Sequence, residues 1–108
     1  MPHQSERRQI RTEVILGGMQ QAEAEVVVEA LKERRLFAHV YRGGGTRYGV
    51  RLVLSDGREV LWDVDGAAGL EAQVMRDGVL VGFVPKIPDS ESYTVAQTIE
   101  AIASAVYD

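Results

Sequence analysis

The chain lacks several kinds of residue that reactive sites are commonly built from. It contains no cysteine, which excludes disulfides, thiolate nucleophiles and cysteine-ligated zinc. His3 and His39 are its two histidines, and the first lies in a polar N-terminal stretch, so a two-histidine metal site is not expected. No apolar run approaches the ~18 residues that a membrane-spanning helix needs. The N-terminal stretch also has no secretory apolar core, so we expect a cytoplasmic protein with no membrane association.

Basic residues are scarce in the second half of the chain. Residues 1–54 hold nine Lys or Arg and six Asp or Glu, whereas residues 55–108 hold three and ten. The net charge of the 108 residues is −4. A phosphate backbone repels an acidic domain, so the charge balance disfavours a general nucleic-acid partner.

Two Asp-Gly pairs, each between runs of alternating apolar residues, are the strongest structural signals in the sequence. The first pair lies in YGVRLVL-SDG-REVLWDV, from Tyr48 to Val64, and the second lies in LEAQVM-RDG-VLVGFVP, from Leu70 to Pro85. Glycine accepts positive φ angles without steric cost, so Asp-Gly between alternating runs is typical of a β-hairpin. We therefore predict two consecutive hairpins.

A helix is expected on either side of these strands. Met19 to Arg35 has helical periodicity, with Ala22, Val26, Ala30 and Leu31 on its apolar face. A further strand, Leu36 to Arg42, and a loop, Gly43 to Arg47, then precede the hairpins. Thr94 and Gln97 have the spacing of a capping box for a final helix, whose apolar stripe would be Val95, Ile99, Ile102 and Val106.

This order of elements predicts one α+β domain over residues 10–108, after a disordered tail at residues 1–9. The expected fold is a five-stranded antiparallel meander sheet with an N-terminal and a C-terminal helix packed on one face, in the order α-β-β-β-β-β-α. The segment from Ile10 to Leu16 fits either a strand or a helix, and the pattern leaves that open.

Turn length decides which face of the sheet each side chain occupies, because a one-residue slip exchanges the faces. A three-residue first loop, Ser55 to Gly57, places Val50 opposite Trp62, whereas a two-residue loop would oppose Arg51 and Trp62. For the second hairpin a two-residue turn, Asp77-Gly78, segregates the residues better. The predicted core face is Ala38, Val40, Tyr48, Val50, Leu52, Val60, Trp62, Val64, Leu70, Ala72, Val74, Val81 and Phe83.

The other side of the sheet, which we call the second face, is too apolar to be wholly exposed to water. Monomeric proteins seldom expose large apolar patches that have no binding role. Each helix has one apolar stripe, so neither helix is expected to cover both faces. The candidate interface residues are Phe37, His39, Tyr41, Arg51, Val53, Leu61, Met75, Leu80 and Val84.

No motif specifies a reaction. The Gly43 to Gly49 loop lies between strands, without the helix N-terminus that a phosphate loop uses. Asp63 and Asp65 form a D-x-D pair but lack the further oxygen ligands of a calcium loop. We therefore predict no catalytic residues, no metal site and no cofactor.

The function predicted from the sequence is that of a non-catalytic protein-interaction domain. It would bind a protein partner, most simply a second copy as a homodimer, through the second face. The alternative is a small-molecule or single-stranded nucleic-acid binder that uses Phe37, His39, Tyr41 and Arg51 as an aromatic and basic patch.

Overall fold

The computed structural model describes residues 11, 14–15, 19–42, 48–65 and 69–107, and has the predicted α+β order. One antiparallel sheet contains five strands in the order β1-β2-β3-β4-β5. The predicted tail at residues 1–9 and the loop at residues 43–47 lie outside the described residues. The elements are α1 (Gln21–Glu33), β1 (Phe37–Arg42), β2 (Tyr48–Val53), β3 (Glu59–Asp65), β4 (Gly69–Arg76), β5 (Val79–Val84), a 3-10 turn (Ser90–Ser92) and α2 (Val95–Ser104).

The two hairpin turns differ in length, as predicted. Between β2 and β3, the Leu54 N–H donates to the Arg58 carbonyl at 2.8 Å, which closes a three-residue loop over Ser55 to Gly57. Gly57 has a φ of 91°, the left-handed conformation that a side chain would strain. Between β4 and β5, Arg76 pairs with Val79, so the turn has two residues. The predicted pairs Val50–Trp62 and Leu52–Val60 are confirmed.

The prediction for the far part of β5 is wrong. The register shifts between Val74 and Met75, so that Met75 pairs with Leu80 and Val74 pairs with Gly82. Val81 is therefore an extra residue, and the residues after it exchange faces. Phe83, predicted in the core, is 69% exposed, and Val81 is exposed too.

Both helices contribute to one core with the buried face of the sheet. Helix α1 packs against β1, β2 and α2. Its buried residues are Ala24, Val27, Val28, Ala30 and Leu31. Ala30 and Leu31 are thus buried as predicted, whereas Val26 is only partly buried and Ala22 is exposed. The apolar run at residues 26–28 gives no single helical phase, and packing selects the spacing 24, 27, 28 and 31.

Helix α2 begins at the predicted capping box. The Gln97 N–H donates to the Thr94 hydroxyl at 3.1 Å, and the Thr94 N–H donates to the Gln97 side chain at 2.8 Å. Val95, Ile99 and Ile102 are buried as predicted. Val106 was predicted to continue their stripe but is 78% exposed, because the helix ends at Ser104. Within the described ranges, neither helix has the length and apolar character needed to cross a membrane.

The described part of the ambiguous segment at residues 10–16 lies beside the start of α2. Val14 forms an isolated antiparallel bridge with Thr94, and the Ile15 N–H donates to the Tyr93 carbonyl at 3.2 Å. Ile15 is buried in the core shared by the helices and the sheet. These two residues therefore pack on the helical side of the sheet and do not cover the second face.

Trp62 is the largest side chain of this core and is 1% exposed. Its indole N–H donates to the Tyr107 hydroxyl at 2.8 Å, so the polar end of the ring is satisfied. The two rings meet edge to face with their centroids 6.3 Å apart. The segment after α2 thus closes the core over Trp62.

Replacing Trp62 with alanine should lower the free energy of unfolding by about 3–5 kcal/mol, because it leaves a large cavity and an unpartnered Tyr107 hydroxyl. Leu61→Ala is the matched control on the opposite face and should cost only about 1 kcal/mol. Denaturant unfolding of both variants measures the difference. Equal losses for the two variants would contradict the assignment of faces.

The pH dependence of stability should include a contribution from Tyr107. Burial raises the pKa of its phenol above the ordinary 10.0, and the hydrogen bond from Trp62 opposes that shift. The unfolded chain ionises first as the pH rises, so Tyr107 stabilises the fold fully below about pH 10 and progressively less above it.

Unfolding of the wild type and of Tyr107→Phe, followed from pH 7 upward, isolates this contribution. At neutral pH the variant should lose about 1 kcal/mol with its hydrogen bond. The gap between the two proteins should narrow above pH 10. A gap that widens with pH would show that the pKa shift has the opposite sign.

Candidate protein-interaction surface

The second face has three rows of side chains that run across the strands. They follow from the strand register, because directly paired residues share a face. The first row is Phe37, Val53, Glu59, Met75 and Leu80. The second row is His39, Arg51, Leu61, Gln73 and Phe83. The third row is Tyr41, Gly49, Asp63 and Glu71.

The structure brings together on this face eight of the nine candidate residues: Phe37, His39, Tyr41, Arg51, Val53, Leu61, Met75 and Leu80. Val84 is the exception. It pairs with Ala72 and packs against the core, because the extra residue Val81 reverses the alternation of β5. The assignment of Val84 to the second face was therefore wrong.

Phe83 is the residue of this face that sequence reasoning missed. It pairs with Gln73 in the second row, on the side away from the helices. Glycine inside a strand is a common sign of a bulge, and Gly82 directly follows the extra residue. Gly82 is therefore the sequence signal that could have placed Phe83 on this face.

The most exposed apolar side chains of the second face lie on its two lateral edges. Phe37, on edge strand β1, is 72% exposed. Leu80 and Phe83, on edge strand β5, are 54% and 69% exposed. The central Val53 and Leu61 are each partly buried by their neighbours. The apolar surface therefore extends across the full width of the sheet.

The net charge of this face changes from one end of the strands to the other. In the first two rows, the Arg51 guanidinium donates to the Glu59 carboxylate on the adjacent strand, which neutralises both charges locally. The third row places Asp63 directly opposite Glu71. The end of the face beside the two Asp-Gly turns is therefore mostly apolar, and the opposite end is acidic.

A concavity of about 290 Å³ lies at the acidic end. Its volume is at the lower limit of the ~300–1,000 Å³ typical of small-molecule sites. The carboxylates of Asp63 and Glu71 in its lining would repel a phosphate-containing ligand. The lining residues are Tyr41, Leu61, Asp63, Glu71, Ala72, Gln73, Phe83 and Val84.

Gly49 leaves no side chain between Tyr41 and Asp63 in the third row, and the structure has no room for one there. A Cβ atom at this position would fall against the backbone carbonyl of Trp62 on the neighbouring strand, and the Tyr41 ring lies next to the same space. An aromatic side chain opposite a strand glycine covers the backbone that the glycine leaves open. The half-buried position of Tyr41 follows from this arrangement.

A second hollow, of about 420 Å³, lies where α1 leads into edge strand β1. Phe37 and His39 reach it from the strand, and Lys32 and Arg35 line it from the end of the helix and the turn. It is more basic than the acidic end of the second face. Within the described part of the chain, no three potential metal-ligating side chains come together.

The Ser90 hydroxyl has a structural role. The buried Ser90 hydroxyl donates to the Ile87 carbonyl at 2.6 Å and accepts from the Leu70 N–H at 2.8 Å, so it anchors the 3-10 turn to β4. Asp63 lies opposite Glu71, and nothing is described of the Asp65 side chain.

No family model, curated protein or solved structure matches the chain.

Gly49→Ala should lower the free energy of unfolding by about 1–3 kcal/mol, because the added methyl group meets the backbone of β3 and not a movable side chain. Gly82→Ala is the matched control, since its Cβ would lie at an ordinary 3.9 Å from Val74. Thermal unfolding compares the two variants. Equal stability for both would show that β2 and β3 are not in the close approach described.

Proposed function

We propose that this domain is a non-catalytic protein-interaction module that binds a protein through its second face. The exposure of Phe37, Leu80 and Phe83 on the side of the sheet away from both helices is the observation that supports it. With strands ~4.8 Å apart and residues ~3.4 Å apart, the five-stranded face covers about 480 Å². The exposed apolar side chains share this area with polar ones, among them Arg51, Glu59 and Gln73, and exposed apolar patches on monomers are often functional.

The alternative, a small-molecule or single-stranded nucleic-acid binder, has a weaker basis. The guanidinium of Arg51 is engaged by Glu59, and Asp63 and Glu71 make the same face acidic. The hollow beside Phe37 and His39 is the observation that favours it, with Arg35 in its lining and Lys32 paired with Glu29 at 3.5 Å. Binding of this kind would be strongly salt-dependent, and single-stranded oligonucleotides titrated at two salt concentrations would detect it.

A charge placed at the centre of the second face tests the protein-interaction proposal. Leu61→Asp should abolish association, because a carboxylate buried in an apolar contact is costly to desolvate. Leu61 is half-buried and faces away from the core, so the monomer should still fold. Val106→Asp is the matched control, since it places the same charge at an exposed valine beyond α2.

Sedimentation across a wide concentration range and binding assays with purified partner proteins provide the measurements. The wild type and Val106→Asp should associate with themselves or with a partner, whereas Leu61→Asp should not. If Leu61→Asp keeps every association that the wild type shows, the second face is not the binding surface. A wild type that forms no protein complex of any kind would also overturn the proposal.

A further inference from the structure

The acidic end of the second face contains two carboxylates at directly opposed positions of neighbouring strands. Asp63 on β3 pairs with Glu71 on β4, so the two side chains share this face and lie next to each other. Like charges at opposed positions destabilise a sheet. Among the residues that the structure describes, no lysine or arginine lies within ion-pairing distance of either carboxylate. A positive group from another molecule would relieve this repulsion.

The nearest described arginine of the face is held toward the opposite end. Arg51 belongs to the second row, next to the row that contains Asp63 and Glu71. Its guanidinium donates to the carboxylate of Glu59, which belongs to the first row. This ion pair therefore neutralises charge at the apolar end of the face and leaves the acidic end negative.

Two aromatic side chains border the same carboxylates. Tyr41 and Phe83 line the concavity of about 290 Å³ together with Asp63 and Glu71. A lysine or arginine side chain gains from both kinds of neighbour, because a carboxylate accepts its hydrogen bonds and the face of an aromatic ring attracts its positive charge. Its methylene stem would lie along Leu61, which also lines the concavity. The lining thus has the chemistry of a pocket for one basic side chain.

We propose, building on the function proposed above, that the occupant of the second face is a basic and partly apolar segment of another protein. A lysine or arginine of that segment enters the acidic concavity, and its apolar side chains lie over the first row, beside Met75 and Leu80. Charge complementarity selects this occupant, because an acidic partner would leave Asp63 and Glu71 opposed by like charge. At ~3.4 Å per residue, the first and third rows are about 14 Å apart, which an extended segment spans in about four residues.

The area of the face suits a short segment better than a globular partner. About 480 Å² is smaller than the ~800 Å² per partner of a standard interface. A segment that lies along the strands needs only part of this surface, and its basic side chain adds specificity to a small contact. We therefore expect weak and reversible binding that decreases as salt screens the charges.

Selection from a peptide library tests the chemistry of the occupant directly. Immobilised wild-type protein is exposed to phage that display short random peptides, and the enriched sequences are read. Asp63→Asn/Glu71→Gln removes both carboxylates and preserves the shapes of the side chains. Glu25→Gln/Glu29→Gln is the matched control, because it makes the same change in net charge at two exposed positions of α1, on the other side of the sheet.

The carboxylate variant should fold as well as the wild type, since it removes a like-charge pair from adjacent strands. Its unfolding temperature should equal or exceed that of the wild type. Differences in peptide binding between the two proteins then report the lost charges and not a damaged sheet.

The peptides enriched on the wild type should contain a lysine or arginine within a few positions of apolar residues. Synthesised with a fluorescent label, they should bind Asp63→Asn/Glu71→Gln about tenfold or more weakly, because hydrogen bonds to charged groups are the stronger kind. They should bind Glu25→Gln/Glu29→Gln as tightly as the wild type. Added salt should weaken binding to the wild type more than binding to the carboxylate variant.

Three results would overturn the basic segment as occupant: a library that yields no enriched peptide, enriched peptides without an excess of basic residues, or affinity that is unchanged by loss of the two carboxylates. Leu80→Ser distinguishes this failure from failure of the proposed function. Peptides that lose affinity for Leu80→Ser but not for Asp63→Asn/Glu71→Gln would leave the protein-interaction function standing with an apolar occupant. If Leu61→Asp also leaves every association of the wild type intact, both proposals are wrong.

Discussion

The register set by the three-residue turn between β2 and β3 is the constraint on which the rest of the structure depends. With Ser55 to Gly57 as the loop, Val50, Trp62 and Ala72 form one continuous row beneath the helices. A shift of one residue would move Trp62 to the opposite face and leave the helices without their largest contact. The buried core and the composition of the second face are therefore two consequences of one turn.

The bulge at Val81 modifies that constraint in the last strand. It moves Val84 into contact with the core and turns Phe83 outward. A bulge also twists an edge strand and makes its free backbone groups a poorer template for pairing with another chain. It thus disfavours extension of the sheet by another strand at β5.

The sequence was sufficient for features that depend on local chemistry. The two turns, the Thr94 capping box and the alternation of β2 and β3 each follow from a few neighbouring residues, and each prediction is confirmed. Features that depend on packing were not predictable in this way. The phase of α1 was ambiguous because the apolar run at residues 26–28 fits several faces. The second face could be listed from its register except in β5, where the bulge at Val81 exchanges the faces of Phe83 and Val84.

The pairing of β2 with β3 is the central claim, and NMR spectroscopy of the chain in solution tests it most directly. Nuclear Overhauser effects between backbone protons of neighbouring strands report which residues lie opposite each other. The account predicts cross-strand contacts that join Val50 to Trp62 and Leu52 to Val60. Contacts that instead join Arg51 to Trp62, as a two-residue turn would require, would contradict it.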